Sequence, residues 1–272
     1  MNTYVLVGGA WIGAWAWQGV ATRLRRSGHD VYPLSLTGLG ERAHLGGPQI
    51  DLDTHVTDIV SLIELENLRD VVLVGHSYAG VVIPGVADQI PERIARLVYV
   101  DSGPLPDGVA FIDTFPPEAR ERLEQQVREL GDGWGVPLPS WDQLVAAGSS
   151  LEGLGGGQLA LMRDRAAPHP FGTYTQPVRL RNLAREAIPK VAILCSFSKA
   201  QVDEMIALGH PLAAGFDGPG WEFLELPTGH WPMLSKPERL ADLLDGPTVG
   251  LASPCSQGGS SAEYHFAGTR LL

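Results

Sequence analysis

The sequence predicts an α/β protein: a mostly parallel sheet flanked by helices, with a helical segment inserted into it. Three observations carry that prediction. Short apolar runs such as VVLV at 71–74 alternate with stretches of helical period, the pattern of parallel strands joined by crossover helices and covered on both faces. The alternation stops over residues 104–187, where helical stretches and glycine-rich linkers replace it. It resumes at Lys190–Leu194 and continues to residue 246.

In chain order, Thr3–Val7 (TYVLV) reads as a buried strand ended by Gly8 and Gly9. Residues 13–27 read as a helix with Ala14, Trp17, Val20, Ala21 and Leu24 on one face, stopped by Gly28. A second strand is expected over 30–36, followed by a turn-rich segment over 37–48. Val56, Ile59, Val60 and Ile63 recur at helical spacing within 53–66. The strand at 71–74 leads into a helix over 77–89, and ARLVYV at 95–100 is another strand. Within the insertion, 118–130 and 141–147 are helical in pattern, 153–157 is a glycine-rich linker, and no strand is expected. After Lys190–Leu194 come a short helix near 201–208, a strand at 221–226 (WEFLEL) and a last helix at 237–244. The expected organisation is a core over 1–103 and 188–246, a helical cap over 104–187, and a loosely packed polar tail over 247–272 with no assigned role.

Composition narrows the function classes. A chain of 272 residues can bury roughly three quarters of the surface it exposes when unfolded. The formal charge of −11 argues against a nucleic-acid-binding face. Cys195 and Cys255 are too few for a disulfide framework or a cysteine-based zinc site. Residues 1–22 carry no charged side chain, a length that could span a bilayer. However, Gly8, Gly9, Gly13 and Gly19 interrupt them, and neither a basic n-region nor a cleavage site is present. The expectation is a soluble, cytoplasmic protein with no membrane partner.

The strongest chemical signal is the strand VVLV running into Gly75-His76-Ser77-Tyr78-Ala79-Gly80 and on into a helix. A nucleophile elbow needs this arrangement: the serine sits on a strained turn, so the residues two positions away must be small, as Gly75 and Ala79 are. The alternative is a serine that merely caps a helix. An oxyanion hole in this geometry takes one N–H from the residue after the nucleophile and one from the loop after an early strand. Tyr78 and the loop Gly8-Gly9-Ala10-Trp11 occupy those places, so Tyr78 and a residue of that loop are the candidate donors, with Gly9 and Trp11 beside the substrate. Gly8 and Gly9 also suit an ordinary turn, and aromatic residues beside a glycine turn are more often core than pocket.

A serine needs a base to be nucleophilic at neutral pH. Of the eight histidines, His76 is pinned beside Ser77 and is expected to point away from the pocket. His230 lies in PTGHWP, directly after the last strand and so at the same carboxyl edge of a parallel sheet as the elbow. It is the candidate base. The acid is less plain. Asp101 ends the strand ARLVYV at that edge, next to the nucleophile strand, although a strand-end aspartate can also simply cap the following Ser102-Gly103. Asp203 and Glu204, on the helix near 201–208, are the rivals, and a site with no acid is the remaining alternative. Glu41 and Arg42 are expected to form a structural pair, and no spacing argues for a metal or a phosphate cradle.

On these residues the chain resembles the α/β-hydrolase superfamily, and within it the branch of methyl esterases and hydroxynitrile lyases. VLVGGAWIGAWAW, LTGLGERAHL, VVLVGHSYAGVV and ELPTGHWPM carry the likeness, with RAAPHPFGTYTQPVRL a weaker match. The resemblance implies an eight-stranded-type core with a helical cap, no cofactor, and a Ser–His–acid triad cleaving carboxylic esters. It carries the nucleophile to Ser77, the base to His230 and the oxyanion donors to Ala10 and Tyr78. The chain departs from the family pattern at Gly8-Gly9, where the family reads His-Gly. It departs again at CSFSKA (195–200), where Ser198 stands about where the family's acid belongs. The lyase members carry a threonine in the oxyanion loop and a lysine after the histidine; here those positions hold Gly9 and Trp231.

The function expected is therefore a serine hydrolase of small or medium carboxylic esters, thioesters or lactones, with a small-molecule substrate as its partner and a homodimer as a further option. The alternative is a repurposed fold, acting as a natural-product cyclase or lyase or as a small-ligand binder.

Overall fold

A computed structural model describes residues 1–216, 218 and 220–246. The tail expected over 247–272, with Cys255, lies outside them. Six strands form one parallel sheet: β1 (Thr3–Val7), β2 (Asp30–Leu34), β3 (Val71–His76), β4 (Ile94–Val100), β7 (Lys190–Leu194) and β8 (Trp221–Glu225), in the order β2-β1-β3-β4-β7-β8. The core is thus six-stranded among the described residues, not of the eight-stranded type that the resemblance implied.

Strict alternation along each strand divides the core between the two faces. Val5, Val7, Val71, Leu73, Leu97 and Tyr99 pack on one side with α2 (Leu52–Leu65) and α3 (Ala79–Gln89). Tyr4, Leu6, Val72, Val74, Val98 and Val100 pack on the other with α1 (Gln18–Arg26) and α10 (Pro237–Asp245). Both faces being covered is why these strands read as unbroken apolar runs. Pro33 falls in β2, an edge strand, where a missing N–H leaves no central ladder incomplete. A capping box starts α2: the Asp51 carboxylate accepts the Thr54 N–H at 2.9 Å, and the Thr54 hydroxyl sits 3.4 Å from the Asp51 N–H.

Between β4 and β7 the chain leaves the main sheet and forms α4 (Pro117–Leu130), β5 (Gly135–Val136), α5 (Trp141–Ala146), α6 (Gly156–Arg165), β6 (His169–Pro170) and α7 (Gly172–Thr175). Two elements differ from expectation. Antiparallel β5 and β6 pair where no strand was anticipated, because two residues are too short to show an alternation. Helix α6 begins inside the glycine-rich stretch, where Gln158 Oε1 accepts the Gly155 N–H at 3.1 Å and supplies a cap the glycine lacks. The remaining helices are α8 (Lys199–Ala207) and α9 (Pro232–Ser235). No helix among the described residues is long and apolar enough to cross a membrane; the uncharged start of the chain divides into β1, a glycine turn and helix.

Two features of the sheet position the site. Strand order reverses at β1, whose neighbours are β2 and β3, so the loops after β1 and β3 open a crevice at the carboxyl edge. The register pairs Val7 with Gly75 and His76 with Val100, which sets Gly9 beside Ser77 and Ser77 beside Asp101. Leu73 is fully buried in the centre of this frame. Leu73→Ala is expected to cost about 2–5 kcal/mol of unfolding free energy, read from the midpoint of urea denaturation.

Candidate active site

Ser77 follows β3 with φ +52°, the left-handed backbone that a serine adopts only where its surroundings enforce it. The turn is tight enough that a Cβ at Gly75 would lie 2.9 Å from the Ala79 carbonyl oxygen, which explains the small residues on either side of the serine. A Cβ at Gly80 would fall 2.1 Å from Ser102 Oγ, and that hydroxyl donates to the Ser77 carbonyl at 2.5 Å. Helix α3 starts at Ala79, two residues past the serine, with its positive end at the turn.

His230 Nε2 lies 2.9 Å from Ser77 Oγ, and its Nδ1 lies 2.6 Å from Asp101 Oδ2. The ionised carboxylate can only accept, so Nδ1 carries the proton and Nε2 offers its lone pair to the Ser77 hydroxyl. The Asp101 side chain is wholly buried. Its Oδ1 accepts the N–H groups of Cys195 and Ser196, each at 2.9 Å, and its Oδ2 accepts the Ser196 hydroxyl at 2.6 Å as well as the His230 ring N–H. Burial alone would raise its pKa. The His230 and Ser196 donors outweigh burial and hold the carboxyl below its ordinary value.

The structure therefore brings Ser77, His230 and Asp101 together and leaves the rival acids elsewhere. Asp203 and Glu204 are exposed on α8, where Asp203 pairs with Lys199. Ser198, at the position where the family's acid belongs, caps α8 by accepting the Gln201 N–H at 3.3 Å. Asp101 spends its oxygens on the loop after β7 and on His230, so capping Ser102-Gly103 is not its arrangement.

The loop after β1 crosses directly over the serine. A Cβ at Gly9 would stand 2.7 Å from Ser77 Cβ, so only glycine permits this approach. Ala10 is buried, and Trp11 is partly buried with φ +65°.

His76 is fully buried against the His230 loop: its ring lies 4.9 Å, centroid to centroid, from that of His230, and its Nε2–H donates to the His230 carbonyl at 2.7 Å. Complete burial, reinforced by the neighbouring His230, pushes its pKa down to about 3 and keeps it a neutral donor. Its long-range partner was not legible in the sequence. Glu41 and Arg42 also find separate partners instead of each other. Glu41 accepts from Ser35 at 2.7 Å, and Arg42 pairs with Asp58 at 2.8 Å.

Behind Tyr78 runs a buried chain of polar groups that sequence reasoning missed. The Thr37 carbonyl accepts from His55 Nε2–H at 2.9 Å, which leaves His55 Nδ1 to accept the Tyr78 hydroxyl at 3.0 Å. Asp58 in turn accepts the Thr37 N–H and hydroxyl at 2.6 and 2.8 Å. The Tyr78 ring also packs edge-on against His169, 4.4 Å between centroids. These contacts hold Tyr78, the residue after the candidate nucleophile Ser77. Among the described residues no His, Cys, Asp and Glu cluster could hold a metal ion.

Residues 4–243 match the alpha/beta hydrolase family, and the chain belongs to that family. A carbendazim-hydrolyzing esterase from Nocardioides sp. (strain SG-4G) is 33% identical over 246 residues, 90% of this chain and 98% of that protein. Methylesterase 9 of Arabidopsis thaliana is 28% identical over 260 residues, 90% of this chain and 97% of that protein. Among solved structures, an extracellular alpha/beta-hydrolase from a Paenibacillus species superposes with a TM-score of 0.72 at 24% identity, covering 90% of this chain and 98% of that one. At that identity the likeness speaks for the fold.

The buried histidines make stability depend on pH. Burial lowers the His55 pKa from 6.5 to about 4 in the folded chain. Between those values the unfolded state binds the extra proton, so stability falls as pH falls. From the shift, His55 should cost about 2 kcal/mol at pH 5 relative to neutral pH. His55→Gln keeps a donor and an acceptor but cannot titrate. Urea denaturation of this variant between pH 7 and 5 should show a shallower loss than the wild type.

Proposed function

We propose that the protein is a serine esterase acting on small or medium carboxylic esters through a Ser77–His230–Asp101 triad. The observation that carries the reading is the unbroken run of hydrogen bonds from Ser77 Oγ through His230 to a buried, ionised Asp101. The names of the full-length relatives, an esterase and a methylesterase, support an ester of a small alcohol over a peptide or phosphoester. Thioesters and lactones present the same acyl carbonyl and fall within the reading.

In this mechanism Ser77 Oγ attacks the ester carbonyl as its proton passes to His230 Nε2. Asp101 stabilises the imidazolium and holds the ring in the reactive tautomer. The N–H groups of Ala10 and Tyr78 receive the negative charge that develops on the carbonyl oxygen. His230 returns the proton to the departing alcohol, leaving an acyl group on Ser77. Water then gives a proton to His230 and attacks the acyl carbon, and the proton returns to Ser77 as the acid leaves. Residues 104–187 serve as a cap that shapes the acyl and alcohol pockets. They reach the base loop itself: the Ser150 carbonyl accepts the His230 N–H at 2.8 Å and the Glu152 carbonyl accepts the Gly229 N–H at 3.0 Å.

Treatment with a fluorophosphonate should give a stoichiometric adduct on Ser77, located by peptide mass mapping, and none in Ser77→Ala. Asp101→Asn should retain the fold but lose on the order of 10³–10⁴ in kcat on an aryl ester, because the amide favours the wrong imidazole tautomer. Ester turnover that survives in Ser77→Ala, or an Asp101→Asn enzyme as fast as the wild type, would contradict the triad.

A further inference from the structure

The loop after β1 begins with Gly8 and Gly9, which have no side chains to hold it and the widest backbone freedom of any residue. Its anchor lies one residue past Ala10. Trp11 adopts φ +65°, a conformation that a bulky side chain resists and that persists only where surrounding contacts over-determine it. Two contacts do so here. The Trp11 indole N–H donates to the Val136 carbonyl at 3.0 Å, and the Trp11 carbonyl accepts the Ala167 N–H at 3.0 Å.

Both bonds end on one small unit of the segment between β4 and β7. Val136 belongs to β5, which pairs with His169 and Pro170 of β6, and Ala167 lies just ahead of β6. That unit is itself fixed. All residues of β5 and β6 are buried, the Trp134 carbonyl accepts the Phe171 N–H at 2.7 Å, and His169 Nε2–H donates to the Thr173 hydroxyl at 2.8 Å. The Thr173 proton goes to the Pro170 carbonyl at 2.7 Å, which leaves its oxygen free to accept. A rigid element outside the main sheet therefore grips the side chain and the main chain of the residue beside the proposed oxyanion donor.

We propose that Trp11 is a positioning residue that aims the Ala10 N–H at the oxyanion by tying its loop to the antiparallel β5–β6 pair. The inference rests on the esterase reading above. Its physical content is preorganisation: an oxyanion donor lowers the barrier only if it is already aimed where charge will develop, and two glycines cannot supply that aim. The inserted segment thus completes the catalytic geometry in addition to covering the substrate.

The test is Trp11→Phe, which keeps an aromatic ring and removes the indole N–H. Expected are a fall in kcat on an aryl ester of about 10- to 100-fold with KM within about twofold, and a parallel loss of affinity for a trifluoromethyl ketone that forms a tetrahedral adduct on Ser77. If Trp11→Phe fails to fold, 3-benzothienylalanine at position 11 replaces the N–H by sulfur in a ring of the same size and carries the same expectation. A kcat and trifluoromethyl ketone affinity within about threefold of wild type, or a loss confined to KM, overturns the inference and makes Trp11 a pocket wall. Wild-type enzyme without Ser77-dependent turnover overturns the esterase reading and this inference with it. Wild-type turnover that Trp11→Phe leaves unchanged overturns the inference alone.

Discussion

The site depends on the buried carboxylate of Asp101. An ionised group removed from water is tolerated only when its oxygens are fully engaged, and here four hydrogen bonds from three residues engage them. Those donors come from the loop after β7 and the loop after β8, so one side chain at the end of β4 joins the carboxyl ends of three neighbouring strands. The parallel register makes this possible: Val100 sits beside His76 on one side and Ile193 on the other, which leaves Asp101 level with Ser77 and with the start of the β7 loop. His230 then has a fixed carboxylate behind it and the serine in front.

Backbone strain gathers at the same edge. Asn67, Asp70 and Asp132 also have positive φ, but Asn and Asp take that conformation readily in turns. Ser77 and Trp11 do not, and with Asp101 they lie on the loops that converge on the candidate nucleophile. Each is held by long-range hydrogen bonds: Ser77 through the Ser102 hydroxyl, Asp101 through the Cys195–Ser196 amides, Trp11 through the β5–β6 pair. The strained turn at Ser77 presents its hydroxyl to His230, and the bonds that sustain the strain also restrict the motion of the groups around it.

Neutral histidines supply much of that restriction. His76 ties the His230 loop to β3, and His55 ties Tyr78 to the Thr37–Asp58–Arg42 network. An imidazole kept neutral by burial is both donor and acceptor, so it can bridge two elements without the cost of an unpaired buried charge. The consequence is acid sensitivity, since protonation is easier once the chain unfolds.

Much of this was determined by the sequence alone. The period of apolar residues specified the strands and the helices α1, α2 and α3, because both faces of a parallel sheet must be covered. Gly75, Ser77 and Ala79 pointed to the elbow, because a turn this tight admits only small residues two positions either side of the serine. His230 followed from its place after the last strand. Tertiary structure decided what depends on lateral register and on contacts between distant segments. Asp101 led Asp203 and Glu204 by its place at a strand end beside the Ser77 strand, but its bonds to His230 and the β7 loop depend on β4 lying between β3 and β7. The partners of His76, His55 and Trp11 lie 154, 23 and 125 positions away in the chain, and no local pattern encodes such pairs. The β5–β6 pair was invisible for a similar reason: two residues carry no periodicity, and its two strands lie more than thirty positions apart in the chain.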